Sequence, residues 1–179
     1  MLRLLAVLAV ASIGVSACGG EEQQASEPDR ACPEGTRSLA ARDVIGSTPK
    51  GYRVVKGDPI ALERVANQIK QTMGDAYRDW DARVIARPRA TMGTAVMVFN
   101  ANERIPPPEE LLRQQEQAEE KAGLPAEAIS VGGAAGRLHR GTDGSWLAVA
   151  PAGTCAMVLL ASDREDLIRD AAAIVSNDG

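Results

Sequence analysis

Residues 136–161 read GRLHRGTDGSWLAVAPAGTCAMVLLA, and the fold is decided there. Three strand-like runs, Gly136–Arg140, Ser145–Ala150 and Thr154–Ala161, are separated by two turn signals, Gly141-Thr142-Asp143-Gly144 and Pro151-Ala152-Gly153. Links this short join neighbouring strands that run in opposite directions, because a parallel pair needs a crossover of a dozen or more residues. An antiparallel meander is therefore expected within Ile129–Ala161.

Upstream, Thr94–Phe99 (TAVMVF) is apolar at consecutive rather than alternate positions. That pattern marks a central strand covered on both faces. Two shorter strands are expected at Tyr52–Lys56, after the Pro-Lys-Gly turn, and at Ala82–Arg87, which Pro88 ends. Helix signals sit between the strands. Asp58-Pro59 is an N-cap followed by proline at the first helical position, and Leu62, Val65, Ala66 and Ile69 continue at helical spacing to about Met73. A second helix opens at Pro107-Pro108 and closes at Lys121-Ala122, with Gly123 and Pro125 beyond it. A third begins at the capping box Ser162-Asp163-Arg164-Glu165 and carries Leu167, Ile168, Ala171, Ile174 and Val175. A weaker helical turn is expected to hold Tyr77 and Trp80. The order, roughly β-α-β-β-α-β-β-β-α, predicts an α+β fold. Its sheet is antiparallel or mixed, with about six to seven strands and about three helices packed on one face.

The chain has 179 residues, 20 Lys and Arg against 24 Asp and Glu, and a net charge of −4. Nucleic-acid binding needs a basic face, so no nucleic-acid partner is expected. Hydrophobic residues make up 45% of the chain, yet 30 residues are alanine and only five are aromatic: Tyr52, Tyr77, Trp80, Phe99 and Trp146. No apolar run reaches the roughly 18–20 residues of a bilayer span.

The N-terminus carries the most specific signal. MLRLLAVLAVASIGVSA has one basic residue, Arg3, then an apolar stretch, Leu4–Val15, of signal-peptide length. Val15-Ser16-Ala17-Cys18 follows directly and resembles the lipobox of bacterial lipoproteins: an aliphatic residue, two small ones, then cysteine. The resemblance implies cleavage between Ala17 and Cys18 and acylation of Cys18, and two or more chains on one residue suffice for stable membrane anchoring. It further implies a location on the cell membrane, lipid-anchored on the extracytoplasmic side, like the small Ala- and Arg-rich envelope lipoproteins of high-GC bacteria. Residues 19–31 hold no large apolar side chain and read as a flexible tether with a root-mean-square reach of about 20 Å. The expected organisation is a signal peptide over 1–17, lipidated Cys18 and tether over 18–31, and one α+β domain over 32–179.

Cys32 and Cys155 remain once Cys18 is assigned to lipid. In an exported chain two such thiols are expected to pair, Cys32 at the start of the domain bonding to Cys155 in the last strand.

Other chemistry is sparse. With a single histidine, no Cys-pair spacing and no His cluster, neither a zinc site nor any other metal or cofactor is expected. His139 shares a strand face with Arg137, opposite Leu138 and Arg140, and a hydrolase would need it to meet a serine and a carboxylate. No GxSxG elbow accompanies it, so no catalytic residue is assigned. Gly132-Gly133-Ala134-Ala135-Gly136 precedes a strand rather than a helix, which suits a bulge or kink and not a phosphate loop. Glu109, Glu110, Glu116, Glu119 and Glu120 read as a solvated helix face, and Pro106-Pro107-Pro108 as the entry to that helix. Trp146, His139 and Trp80 are the candidate ligand or partner contacts, although burial is the better expectation for the two tryptophans in so aromatic-poor a core. Together these readings predict a non-enzymatic module that binds an envelope protein or modulates an envelope complex as an accessory. A carrier of a small apolar or lipid ligand is the alternative, and it would need a deep apolar pocket.

Overall fold

The computed structural model describes residues 31–174 apart from 91, 107–112, 114–115, 118–125 and 141–143. Among these residues seven strands form one antiparallel sheet: β1 (Arg53–Val55), β2 (Tyr77–Ala86), β3 (Thr94–Ala101), β4 (Ala126–Val131), β5 (Ala134–Arg140), β6 (Trp146–Pro151) and β7 (Ala156–Ser162). Their spatial order is β1-β2-β3-β7-β6-β5-β4, and the sheet is open, with β1 and β4 at its edges. The expected meander is present as β4 to β7, and β3 is central, paired with β2 on one side and β7 on the other. Every pairing is antiparallel, which removes the mixed-sheet option.

Three α-helices are delimited among the described residues: α1 (Ala41–Ile45), α2 (Pro59–Met73) and α3 (Arg164–Ala173). They lie on both faces, not on one. Successive side chains of a strand point to opposite sides, and both sides of β3 are apolar. Val96, Val158, Leu160, Ala148, Ala150 and Leu138 face α1 and α3, burying Ile45, Leu167, Ala171 and Ile174. Met97, Phe99, Leu159 and Val149 face α2, burying Ala66 and Ile69. The doubly apolar reading of Thr94–Phe99 already implied two covered faces; the one-faced expectation overlooked it.

α2 starts and stops as expected. The Asp58 carboxylate accepts from the amide of Ile60 at 3.0 Å, Pro59 opens the helix, and Gly74 follows Met73. α3 starts one residue later than the capping box implied. Ser162 is held in the ladder opposite Trp146, so the chain stays extended and Asp163 becomes the cap, accepting from the amide of Asp166 at 2.9 Å. Tyr77 and Trp80 are not in a helical turn. Only Gly74–Ala76 coil, as one 3₁₀ turn, and β2 begins at Tyr77, so that strand runs ten residues rather than the short Ala82–Arg87. Trp80 is drawn into the ladder by pairing with Phe99.

The glycine run makes a tight hairpin and not a bulge or kink. Val131 pairs with Ala134, and the two residues between them, Gly132 and Gly133, have φ of 58° and 86°. Two consecutive positive φ values are the demand of a two-residue hairpin turn, and glycine meets it without steric cost. α1 had no expectation attached to it. The helix expected over 107–122 lies largely outside the described residues, although Arg113, Glu116 and Gln117 are helical. The Gly141–Asp143 turn residues, Val175, Ala17, Cys18 and the tether to residue 30 also lie outside them.

Candidate functional site

The strap by which the chain enters the domain, residues 31–40, is stitched to the sheet along its length. Ala31, the last residue assigned to the tether, already belongs to the body: it bridges Glu103, and its carbonyl accepts from Arg104 Nε at 3.3 Å. Cys32 is next. Its sulfur is at bonding distance from that of Cys155, 2.09 Å, with the Cα atoms 6.1 Å apart, inside the separation a disulfide spans. The Cys32 amide donates to the Asn102 carbonyl at 3.1 Å, and Ala101 N–H donates to the Cys155 carbonyl at 2.8 Å. The disulfide therefore ties the foot of the strap to the start of β7 beside the end of β3.

Beyond this staple, the sheet offers the strap a row of polar groups on the α1 side. β2 presents Asp79 and Asp81 two residues apart, hence on one face, and β3 adds Asn100. The Asn100 side chain is buried and fully used: its oxygen accepts from Leu39 N at 2.9 Å, and its nitrogen donates to the Leu39 carbonyl at 2.9 Å and to Asp79 at 2.6 Å. Ser38 donates to the other Asp79 oxygen. Asp81 accepts from the amide of Ala41 at 2.8 Å, while Asp43 accepts from that of Ala40 at 2.9 Å. The first amides of α1 are thus capped by carboxylates, one of them supplied by the sheet, which explains how a five-residue helix whose N-cap residue, Ala40, has no hydrogen-bonding side chain persists.

A second polar cluster pins α3. Asp170 is buried on that helix, and its two oxygens accept from Tyr52 Oη at 2.6 Å and from Thr94 Oγ1. Burial, then the hydrogen bond to Asp170 and its charge, push the Tyr52 phenol up to about 12. One turn earlier Asp166 takes Arg87 and Arg169 together. Both clusters are fully paired and join elements distant in sequence, which is a structural use of polar groups.

The three expected contact residues are not brought together. Trp146 is half-buried against the α3-side core, with the Arg164 guanidinium 5.4 Å from its ring centre. Trp80 is half-buried on the α2 side of β2, with three strands between it and β5. His139 is half-buried, and the register places it opposite Ala126 and Leu147, which can serve neither as nucleophile nor as orienting acid. The expected alternation holds: Leu138 is buried on the face opposite His139 and Arg137, and Arg137 pairs with Glu116 at 3.5 Å. Tyr77 lies beneath Lys70 Nζ at 5.6 Å, and burial followed by the charge of Asp79 raises its phenol.

A cavity of about 510 Å³ runs along the outer stripe of α2 and is lined by Ile60, Glu63, Arg64, Asn67, Gln68 and Gln71. Its lining is mostly polar. Among the described residues no group of three His, Cys, Asp or Glu side chains could hold a metal ion, and no helix is long and apolar enough to cross a membrane.

Sequence reasoning missed the groups that do the joining: Asp79, Asp81, Asn100, Asp170 and Thr94. One signal was available, because Asp79 and Asp81 alternate in a strand next to the most apolar stretch of the chain, so they needed a partner laid over them. No family model, curated protein or solved structure matches this chain.

Proposed function

We propose that this chain is a lipid-anchored, extracytoplasmic envelope lipoprotein whose folded domain, residues 32–179, is a non-enzymatic module that binds or assists an envelope protein. In this reading the precursor is cleaved between Ala17 and Cys18, Cys18 is acylated, and the membrane is reached through its acyl chains. The observation that carries it is the Cys32–Cys155 pair at bonding distance, immediately downstream of the lipobox-like Val15–Cys18 and its tether. Paired structural thiols belong to oxidising compartments, so the third cysteine of the chain is the odd one out, and it stands where a lipoprotein carries its lipid. The polar clusters contribute by elimination: they are consumed in holding the strap and α3. A ligand carrier would require an enclosed apolar hollow, whereas the cavity on α2 is lined by charged and amide side chains with Ile60 alone among them apolar.

The test is the Cys18→Ser chain. The wild-type protein is expected in the membrane fraction with an acyl-sized mass increment on its N-terminal peptide, and the variant in the soluble fraction or as an uncleaved precursor. A wild-type mature chain whose intact mass lacks that increment overturns the reading.

A further inference from the structure

At the end of the sheet away from the strap, two turns stand side by side. Pro49-Lys50-Gly51-Tyr52 closes with the Tyr52 amide on the Pro49 carbonyl at 2.9 Å, and Gly51 has φ of 86°. Arg87-Pro88-Arg89-Ala90 closes with the Ala90 amide on the Arg87 carbonyl at 3.1 Å, and Arg89 has φ of 67°. A positive φ at the third position marks a type II turn, and glycine or asparagine is the usual third residue. The first turn follows that rule; the second places an arginine there. Arg89 is the one non-glycine residue with positive φ among the described residues. Backbone strain of this kind persists where the side chain has a use.

The surroundings indicate the use. The register sets Arg53 opposite Ala86, at the root of the Arg89 turn, and Lys50 lies in the adjoining turn. Lys50, Arg53 and Arg89 are exposed, and their side chains form no ion pair among the described residues. By contrast Arg87 and Arg164, at the same end, are each neutralised by a carboxylate. Three unneutralised cations at one corner of a chain of net charge −4 form a field of opposite sign to the whole. Met92 stands beside them, 70% exposed, a flexible apolar side chain of the kind used at binding surfaces. The turn is also held in place, because the Arg87 pairing to Asp166 clamps it to α3, which lowers the ordering cost of docking.

We propose that Lys50, Arg53, Arg89 and Met92 form the partner-docking corner of this domain, and that the partner is an acidic protein surface with an apolar hollow for Met92. The inference deepens the partner-binding reading above and rests on it. The corner and Ala31, where the chain enters the domain, lie at opposite ends of β3: Ala31 bridges Glu103 just past Ala101, while Arg89 precedes Thr94. Eight extended residues span about 26 Å, so the corner projects away from the anchor, which favours a protein partner over the lipid surface.

The experiment uses the full-length chain in its native cells, with Met92→p-benzoylphenylalanine as a photocrosslinker. A discrete adduct is expected whose crosslinked partner peptide is rich in Asp and Glu. Its yield should fall at least about fivefold when Arg53→Glu and Arg89→Glu are added, and it should fall again in isolated membranes as salt screens exposed charges. The chain bearing Arg89→Gly separates binding from folding: its melting temperature is expected to stay level or rise while the adduct weakens. An adduct to lipid, an adduct insensitive to charge reversal, or no adduct overturns the proposal. Fractionating the same cells keeps the two readings apart. A membrane-bound chain without an adduct sinks the docking corner alone, and a soluble, unacylated chain sinks the anchor whatever the crosslinking shows.

Discussion

Asp170 shows what a single buried carboxylate does here. With no ion pair to it among the described residues, it is held by two hydroxyls, those of Tyr52 and Thr94, and so joins the last turn of α3 to the segments on either side of α2. Asp170→Ala strands both hydroxyls and opens a gap. Its expected cost is about 2–4 kcal/mol, read as a lower urea midpoint with an unchanged slope. Tyr52→Phe removes one bond and should cost about 1–2 kcal/mol. Its pH dependence has a definite sign. The Tyr52 phenol is pushed above 10 to about 12 in the fold, so folding stabilises its protonated form. That stability is complete below pH 10, where the phenol is neutral folded or unfolded, and is lost as pH rises through 10 toward 12. The gap in urea midpoint between wild type and Tyr52→Phe should therefore be constant from pH 7 to 9 and narrow above 10. A gap that stays constant to pH 12 would show that the phenol titrates normally.

At the scale of elements, the pairing of β5 with β6 depends on Gly136. A Cβ there would lie 2.5 Å from the Val149 carbonyl oxygen and 2.9 Å from Ala150 Cβ, so the two strands meet at a distance only glycine allows. Gly136→Ala is expected to destabilise by about 2–3 kcal/mol, with amide exchange rising first across β4, β5 and β6. The meander, α2 and the central β3 were legible because each rests on local rules: short turns, a proline after a cap, an unbroken apolar run. α1 was not. Residues 41–45 are too few to form a helix alone, and the one that forms is capped by Asp81 from a strand some forty residues away. The length of β2 failed for a similar reason, since its first half carries Arg78, Asp79 and Asp81, which read as turn until the strap is laid over them. Trp80, His139 and Trp146 were read by residue type, and type alone does not say that the ladder would place them on three different strands, Trp146 on the face opposite the other two.

For the whole molecule, the disulfide closes a sequence separation of 123 residues. The loop-entropy account assigns such a closure up to about 5 kcal/mol, a large share of the 5–15 kcal/mol typical of a native domain. Cys32→Ser combined with Cys155→Ser should lower the melting temperature by at least about 10 °C and free the strap, with proteolysis between Cys32 and Leu39 as the first sign. Thiol counting on denatured, unreduced mature protein should find neither cysteine reactive. Two reactive thiols would show that the staple is open.

The placement of β3 beside β7 also governs the order in which the sheet can be assembled. β2 and β3 are joined by a short turn and can zip early, and β4 to β7 can form by successive hairpins, but Val96 to Phe99 must wait for residues 157–160. Until then the Ala-Val-Met-Val-Phe edge is an unpaired apolar template, open to the same edge of another molecule. Refolding is expected to be slow for its size and to lose yield steeply with protein concentration, the two half-sheets gaining protection together only when β7 docks.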